Sequence, residues 1–545
     1  MAASVTAELP DSDKVFRDTA FRDKNKHISN KWIRIAELYP DGVRGPLLPQ
    51  TLSREQFGQG NHYECFMLTA LSTLVRFPSV IQNCFVSNHV RRDGRYTFKF
   101  FRGKEWVKVE IDDYIPLEND AELYIRSPTR HWWPLLLEKA YAKFYTGYEN
   151  LEGCTLQEAY YDLTGNPVLN IPIDAQLAKV VGADVMEGHY WLDLAQKIQS
   201  GQFVASVLTK AMEGENIGIQ SEQHYGVLEI FSMRGTSSVE DIVIHLYNPF
   251  EDDEFRYTGP LNSKDSRWTS KLRARYNVND ERSIFLPLNT FLKIMNSMQL
   301  CYMSTIDGGA TYFDDEWKGE TAGGNPTNVT WRKNPLYCVR NTGTEPVSFV
   351  VIIKHDDQRR FWTPEEEDLM YTQCGIVVCQ YTYGRKISTY FITGNNHRPI
   401  HKSLFLNTRE VTGAVTFPPD SLCYIVPSCM KKGAEAKFTL ALYRMKNHDY
   451  TQLQVERLSI PGMTWDNPIQ STIELQMRTR NRVDFYVDQE TDIHILMHQL
   501  KPYVSPKTGG DAMAEDYMGM YLYDDADRKI GGVHAATNFR ETAIV

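Results

Sequence analysis

Apolar residues recur along the chain with two different periods, which predict two kinds of secondary structure. A helical period runs through residues 65–77 and returns in residues 132–145, where a proline stands near the start. Apolar and polar residues alternate in 96–101 and 106–116, as they do in half-buried strands. Residues 31 to about 180 are therefore predicted to mix helix and sheet.

Strand-like patterns dominate after residue 185. Short apolar runs at 203–208, 225–231 and 241–248 are separated by Gly, Ser and Asn, which favour turns. The segment TAGGNPTN (321–328) then breaks the pattern, because its Gly, Pro and Asn suit a loop between domains. This half of the chain is predicted to be mainly β.

Beyond residue 328 the pattern is typical of β-sandwiches, with short β-branched runs separated by turns. The first series of runs comprises 347–353, 413–418, 423–428 and 437–444. A second series, after a break near 461–468, comprises 471–477, 482–487, 492–498 and 518–524. We predict one sandwich at residues 321–450 and a second at 451–545. Residues 1–30 are polar and weakly patterned, and are predicted to form a flexible tail.

Composition excludes several classes of protein. The 545 residues are too many for one core, and 42% hydrophobic with 23% charged residues is ordinary for globular domains. A net charge of −10 without a dense basic tract argues against nucleic acid. The sequence has no long apolar run and no signal-peptide pattern at its start, so we expect a soluble, intracellular protein without a transmembrane segment. Its nine cysteines, an odd number, are expected to be reduced and buried.

The strongest candidate chemistry lies in FGQGNHYECFMLTAL (57–71), where Gln59 precedes Cys65 by six positions. A thiol at the start of a helix is favoured as thiolate, and an upstream amide can bind an oxyanion. Taken alone, a cysteine in an apolar run is more often a buried core thiol. His224 and Asn248 supply an imidazole and an orienting amide later in the chain. Together these residues suit a papain-type cysteine peptidase site.

These segments resemble the calpain family, whose hallmarks are a QGxxGDCW segment, a GHAY strand and an NPWG turn in that order. VEIDDYIP (109–116) and REVTGAVTFPPDSLCYIVPS (409–428) also look like calpain segments. The resemblance implies a multidomain α+β fold, with a two-lobed papain-like protease core followed by one or two antiparallel, C2-like β-sandwiches. Lobe 1 would span residues 31–185 and lobe 2 residues 186–320.

Departures from the family pattern surround the site. The Gly-Asp before the cysteine is Tyr63-Glu64 here, so a bulky ring replaces a glycine beside the thiol. Without gaps, the family histidine falls on Gln223 and His224 takes the next position. Counted back from Asn248, however, His224 stands at the usual separation. Because one residue of offset turns a side chain to the other face of a strand, both registers remain open.

The resemblance also implies calcium sites in the protease core. Glu149 and Glu254 match two of the acidic ligands, whereas Gln56 stands where the family has an acid. These are interpreted as remnants of calcium sites, so no cofactor is expected. The acidic run 251–254 lacks EF-hand spacing and is interpreted as a solvated loop.

Two functions from different classes follow. We favour a catalytically impaired pseudopeptidase that binds protein partners as a scaffold, since triad-altered calpain-like proteins of flagellated protists are often cytoskeletal or flagellar. The alternative is an active intracellular cysteine endopeptidase using Cys65, His224 and Asn248, with Gln59 at the oxyanion hole.

Overall fold

The computed structural model describes most of the chain up to residue 457 and short stretches after it. The described residues are 15–29, 31–41, 46–60, 65–151, 153–212, 217–250, 255–328, 330–360, 371–381, 399–457, 482–484, 495–498, 519–523, 528–534 and 541–544. Contacts divide the chain into two compact units. Unit 1 is Met1–Ala310 with Asp356–Leu369 and Tyr443–Lys446; unit 2 is Thr311–His355, Met370–Leu442 and Asn447–Val545.

The α-helices that the structure describes all belong to unit 1. In chain order they are α1 (Thr19–Lys24), α2 (Ile35–Leu38), α3 (Cys65–Leu74), α4 (Pro78–Asn83), α5 (Trp133–Phe144), α6 (Leu156–Thr164), α7 (Ala175–Val180), α8 (Gly188–Gln199), α9 (Ser270–Arg275) and α10 (Leu288–Ile294). α3 and α5 are the two helices predicted from the apolar period. Pro134 stands in the first turn of α5, where a missing N–H breaks no helical hydrogen bond.

Unit 1 also contains antiparallel sheets. Its strands are β1 (Lys31–Arg34), β2 (Gly58–Gln59), β3 (Tyr96–Arg102), β4 (Glu105–Ile111), β5 (Tyr114–Glu118), β6 (Ala121–Glu122), β7 (Ile125–Arg126), β8 (Val168–Pro172), β9 (Phe203–Thr209), β10 (His224–Ser232), β11 (Ile242–Tyr247), β12 (Ser283–Pro287) and β13 (Met295–Tyr302). The largest sheet has six strands in the order β12-β11-β10-β9-β13-β8. β10 is therefore a central strand, held on both edges.

Helix α3 packs against β10, and this contact positions the candidate site. α3 is apolar on nearly all sides, as expected for a helix buried in a core. A Cβ atom added at Gly226 of β10 would come within 2.7 Å of Ser72 Oγ and 2.9 Å of Thr73 Cγ2. Because only glycine leaves room for the helix here, Gly226 sets how closely α3 approaches the sheet.

A buried charge network lies under α5, in the segment that resembles calpains at residues 109–116. Lys139 is fully buried and its ammonium donates to the Asp112 carboxylate and to the Tyr114 carbonyl oxygen. The backbone N–H of Asp18 donates to Asp112 Oδ2 at 2.7 Å. Beside it, Arg34 Nη2 and Asp113 Oδ2 form a buried ion pair at 2.7 Å. These charges are held by complementary partners, which is the condition under which charge is tolerated in a core.

Unit 2 is a β-sandwich. Its strands are β14 (Ile306–Trp317, which begins in unit 1), β15 (Tyr337–Asn341), β16 (Val347–Lys354), β17 (Cys374–Tyr381), β18 (His401–Lys402), β19 (Glu410–Phe417), β20 (Ser421–Cys429), β21 (Ala436–Met445), β22 (Leu453–Arg457), β23 (Ile495–His498), β24 (Gly519–Tyr523), β25 (Lys529–His534) and β26 (Glu541–Ile544). Two sheets, ordered β14-β21-β16-β19 and β18-β17-β20-β15-β22, share one apolar core. The first series of predicted strands corresponds to β16, β19, β20 and β21.

The region predicted as a second sandwich is described only in part. β22 lies after residue 451 but pairs with β15, so it belongs to the sheet of the first sandwich. β23 pairs with β26, and β24 with β25. The predicted run 471–477 lies outside the described residues, and a separate sandwich at 451–545 stays a prediction. No helix in the described part of the chain is long and apolar enough to cross a membrane.

Candidate active site

Gln59 lies in β2, the short strand that leads to the predicted nucleophile. β2 pairs with β7, with Gln59 opposite Ile125. The next residue, Gly60, has no space for a side chain, since an added Cβ would lie 2.5 Å from the carbonyl oxygens of Glu122 and Tyr124. The Gln-Gly pair is therefore fixed by backbone packing, and Gln59 itself is partly exposed, as an oxyanion donor would need to be.

Cys65 is the first residue of α3, as the sequence predicted. Its side chain lies outside the described residues, as do Tyr63 and Glu64. One turn further along, Thr69 Oγ1 donates to the backbone carbonyl oxygen of His224 at 3.2 Å. This hydrogen bond ties the first turns of α3 to the start of β10.

His224 begins β10 and shares a strand face with Gly226. Its register places it opposite Leu208 of β9, and the pairing is regular through Val227. Because side chains alternate along a strand, His224 and Gly226 project to the same side, and Gly226 faces α3. The structure therefore places His224 on the side of the sheet that carries the helix of Cys65.

The Nδ1 atom of the His224 imidazole is buried, although the residue as a whole keeps part of its surface exposed. Nδ1 has no hydrogen-bond partner among the described residues. Burial lowers the pKa of His224 to about 4, because a charged imidazolium loses its hydration there. At neutral pH this imidazole is uncharged in the conformation described.

Asn248, the predicted orienting amide, is fully buried and uses its side chain locally. Nδ2 donates to the Phe255 carbonyl oxygen at 3.0 Å, and Oδ1 accepts from the Phe250 N–H at 3.2 Å. Its own backbone N–H donates to the Arg282 carbonyl oxygen at 2.8 Å. In this conformation the amide holds its own loop together and makes no hydrogen bond to His224.

Gln223, the residue that ungapped comparison puts at the histidine position, immediately precedes β10. Its backbone N–H donates to Thr209 Oγ1 at 2.9 Å, and its carbonyl oxygen accepts from the Thr209 N–H at 3.0 Å. The backbone at this position is thus fixed by Thr209 of β9. The catalytic roles assigned to Cys65, Gln59, His224 and Asn248, and the replacement by Gln223, stay predictions.

Comparison with known proteins identifies the family. A model of the calpain family cysteine protease domain matches residues 9–302, more than half of the 545 residues. The chain belongs to the calpain family. A second model, calpain large subunit domain III, matches residues 313–443 and so covers most of the sandwich of unit 2. The predicted fold class is confirmed at this level: a multidomain α+β calpain with a protease core and domain III, whereas its division into two lobes stays a prediction.

The curated relatives are calpains of plants and animals. The chain is 24% identical over 464 residues to the calpain-type cysteine protease DEK1 of Arabidopsis thaliana, covering 80% of this chain and 20% of that protein. It is 25% identical over 488 residues to calpain clp-1 of Caenorhabditis elegans, covering 79% and 59%. Identity to the calpain-2 catalytic subunit of Homo sapiens is 25% over 445 residues, covering 74% and 60%. The chain thus spans only part of the length of each of these three calpains.

Of the two residues predicted as remnants of calcium sites, Glu149 and Glu254, the structure describes only Glu149. Glu149 lies in a short 3₁₀ segment, and its carboxylate is 3.0 Å from His27 Nε2. Glu254 and the acidic run 251–254 lie outside the described residues. Among the residues that the structure describes, no group of three or more His, Cys, Asp or Glu side chains could hold a metal ion.

Sequence reasoning found Phe250 as a residue that supports the site but did not find Thr69. Thr69 fixes α3 to the His224 carbonyl, and its position four residues after Cys65 on the same helix face was the available signal. Phe250, in place of the family tryptophan, packs its ring 5.9 Å from the ring of Tyr225. This contact covers the loop of Asn248 with an aromatic side chain.

Proposed function

We propose that this calpain-family protein is a pseudopeptidase, whose protease core serves as a binding scaffold. The observation that carries the proposal is the environment of His224, whose Nδ1 atom is buried without a partner among the described residues and whose pKa is lowered to about 4. Papain-type chemistry needs an imidazole that takes the thiol proton and then stays charged beside the thiolate. An environment that disfavours the charged imidazole disfavours this ion pair.

The state of Asn248 supports the same proposal. In a working triad the amide oxygen would accept from the imidazole and hold its orientation. Here that oxygen accepts from the Phe250 N–H and the amide nitrogen donates to the Phe255 carbonyl. Oδ1 has a second lone pair that could accept from the imidazole, but in this conformation no hydrogen bond joins Asn248 to His224.

An active peptidase is the second candidate, and one observation favours it. His224 projects from the face of β10 that packs against α3, the helix that Cys65 begins. After a local movement of the Asn248 loop, Oδ1 of Asn248 could accept from the His224 imidazole and orient the ring. The two candidates differ in whether the thiol is activated under any condition.

Covalent labelling separates these candidates. The full chain is incubated at neutral pH with an epoxide-bearing peptide that alkylates activated papain-type thiols, with and without calcium, and the intact mass is measured. We expect no adduct on Cys65. Cys65→Ala is the matched control for labelling elsewhere, and an adduct that this substitution abolishes would contradict the proposal.

The variant Gln223→His tests the register of the catalytic position. If the ungapped comparison with calpains is right, an imidazole at 223 restores the missing base, and peptide hydrolysis or labelling appears in this variant alone. If His224 is the relevant residue, Gln223→His changes neither readout. The corresponding variant His224→Gln is its control.

Calcium dependence and the partner class complete the proposal. We propose that the protein works without calcium, which is supported by the contact between the Glu149 carboxylate and His27.

The proposed partners are cytoskeletal proteins, a class that rests on the resemblance to triad-altered calpain-like proteins of flagellated protists. Co-sedimentation of the full chain with polymerised tubulin, compared with tubulin-free and unrelated-protein controls, tests this class directly. Absence of binding would count against it while leaving the pseudopeptidase proposal unaffected.

A further inference from the structure

Two cysteines of the sandwich in unit 2 lie directly opposite each other on neighbouring strands. Cys374 begins β17 and Cys429 ends β20, and the register of these antiparallel strands pairs the two residues. Both side chains belong to the same apolar core and are fully buried. In the registers of the described strands, no other cysteine stands opposite a cysteine.

The backbone hydrogen bonds around this pair show whether it is a hydrogen-bonded or a non-hydrogen-bonded pair of the antiparallel sheet. The N–H and carbonyl of Cys374 bond to Leu406, at 3.1 and 2.9 Å, on the side away from β20. The neighbouring pair is joined by a bond from the Met430 N–H to the Gln373 carbonyl oxygen at 2.7 Å. Cys374 and Cys429 are therefore a non-hydrogen-bonded pair, in which the Cα atoms lie about 4.5 Å apart and the side chains approach most closely. Disulfides accept Cα separations from about 4.4 Å upward.

A histidine adjoins one of the two thiols. His355 Nε2 lies 3.5 Å from Cys374 Sγ, and the ring is positioned by the carbonyl oxygens of Thr372 and Lys437, at 3.1 and 3.3 Å. Nε2 is also the atom that faces the Thr372 carbonyl oxygen, so a hydrogen on Nε2 is shared between that oxygen and the sulfur, and its donation to the sulfur favours the thiolate, the form that reacts. Cys374 thus has a ring nitrogen beside its sulfur, whereas Cys429 Sγ donates to the Lys431 carbonyl oxygen at 3.3 Å.

We propose that Cys374 and Cys429 are a redox-sensitive pair that forms a reversible disulfide and locks β17 to β20. The oxidant is a hydroperoxide. The Cys374 sulfur attacks one peroxide oxygen, the O–O bond breaks, and the thiol's proton leaves with the departing oxygen as water, which gives a sulfenic acid. The Cys429 sulfur then attacks the Cys374 sulfur, the S–S bond forms, and the S–O bond breaks to release a second water. Two thiols and one hydrogen peroxide give one disulfide and two waters.

Burial makes this reaction conditional on opening of the sandwich. Burial raises the pKa of both thiols above the ordinary range, so few thiolates exist while the core is closed. Partial unfolding would expose the pair to peroxide, and refolding would bring the two sulfurs together. The disulfide would then stabilise the sandwich by closing the chain between residues 374 and 429.

The test is oxidation of the full-length protein with hydrogen peroxide, in buffer and in urea just below the unfolding transition. After removal of both reagents and blocking of free thiols, the protein is digested with trypsin without reduction. Cys374 and Cys379 fall in one tryptic peptide, and Cys423 and Cys429 in another, so tandem mass spectrometry assigns the linked pair. We expect a Cys374–Cys429 link, formed faster in urea, and a melting temperature of unit 2 raised by about 5–10 °C until a thiol reductant is added.

Variants make the assignment independent of fragmentation. The link should persist in Cys379→Ala and in Cys423→Ala, and vanish in Cys374→Ala and in Cys429→Ala. The mass-spectrometric result on the unmodified chain stands even if a variant fails to fold. Absence of the link under both conditions, or a random mixture of cysteine pairs, would overturn the proposal.

Discussion

Two buried polar regions of unit 1 differ in whether their polar side chains have hydrogen-bond and ion-pair partners. The Asp112 carboxylate accepts from the buried Lys139 ammonium and from the Asp18 N–H, and the same ammonium also donates to the Tyr114 carbonyl oxygen. At the candidate active site, Nδ1 of the partly exposed His224 is buried without a partner among the described residues, and Asn248 bonds only within its own loop and the adjoining backbone. In the first region the buried charges are paired, whereas in the second the two described members of the predicted triad, His224 and Asn248, make no hydrogen bond to each other.

This difference shows which calpain features are present in this chain. The Asp112 network lies in a segment that resembles the family closely, and it joins the N-terminal residues, β5 and α5. The catalytic groups lie in segments that depart from the family pattern. The calpain residues are thus retained in the buried charge network around Asp112, which maintains the fold. The departures from the calpain pattern lie around the predicted catalytic residues, where the residue type matters for chemistry. The predictions below test this contrast, beginning with the largest effect.

Removing the charge of Lys139 should cause the largest loss of stability. Lys139→Met keeps the length and burial of the side chain but leaves the Asp112 carboxylate without its ammonium partner. An uncompensated buried charge costs about 3–5 kcal/mol. Urea unfolding of the full chain measures this change. Lys197→Met, which removes an exposed ion pair to Asp193, is the matched control and should cost less than about 0.5 kcal/mol. Similar losses in the two variants would contradict the role given to the network.

Glu138, next to Lys139 on α5, should make stability fall as the pH rises. Burial raises its pKa from 4.5 to about 8, while one oxygen accepts from the Ile125 N–H. Between these values the unfolded chain loses the proton and the folded chain keeps it, so stability is greatest below pH 4.5 and declines towards pH 8. Glu138→Gln should remove this decline and gain about 2–4 kcal/mol at pH 8. Denaturant titrations at several pH values provide the measurement, with exposed Glu105→Gln as control.

His224 should give a pH dependence of the opposite sign. Its pKa is lowered from 6.5 to about 4, so between these values the unfolded chain binds a proton that the folded chain does not. Stability from this group is present above pH 6.5 and is lost as the pH falls to 4. His224→Gln should reduce that loss by about 1–3 kcal/mol, whereas exposed His189→Gln should not. An unchanged pH profile in His224→Gln would mean that folding does not lower the pKa of His224.

Asn248→Ala should have the smallest effect on stability. It removes the two hydrogen bonds to Phe250 and Phe255, at a cost of about 1–2 kcal/mol in urea unfolding. Epoxide labelling and peptide hydrolysis should stay at background level, as in the unmodified chain. If the unmodified chain hydrolyses peptide and this variant does not, Asn248 orients a working histidine and the pseudopeptidase proposal fails.

Local pattern was sufficient to predict several elements of the protease core and four strands of the first sandwich. The apolar period of residues 65–77 and 132–145 predicted α3 and α5, and alternation predicted β3, β4 and β5. Such patterns are readable because each element must bury one face or stripe of side chains, and burial follows the period of the backbone. The order of Gln59, Cys65, His224 and Asn248 likewise carried the resemblance to calpains.

The local pattern could not predict which partners the buried polar and charged side chains would contact. Glu138 and Lys139 stand side by side on a helix, and nothing in their local pattern distinguishes a buried pair from two solvated charges. The register at His224 depends on pairing with β9 and on the approach of α3 at Gly226, which are contacts between distant parts of the chain. The pairing of Cys374 with Cys429 depends on strand register in the same way.

The sequence by itself determined the family, the kinds of element and the residue types available for chemistry, because these depend on local periodicity and on ordered motifs. Only the tertiary structure decided which face His224 occupies, which groups satisfy Asn248 and Asp112, and which cysteines stand opposite each other. Those outcomes depend on distances between residues far apart in the chain, and on burial, which sets the free energy of every charge that the fold encloses.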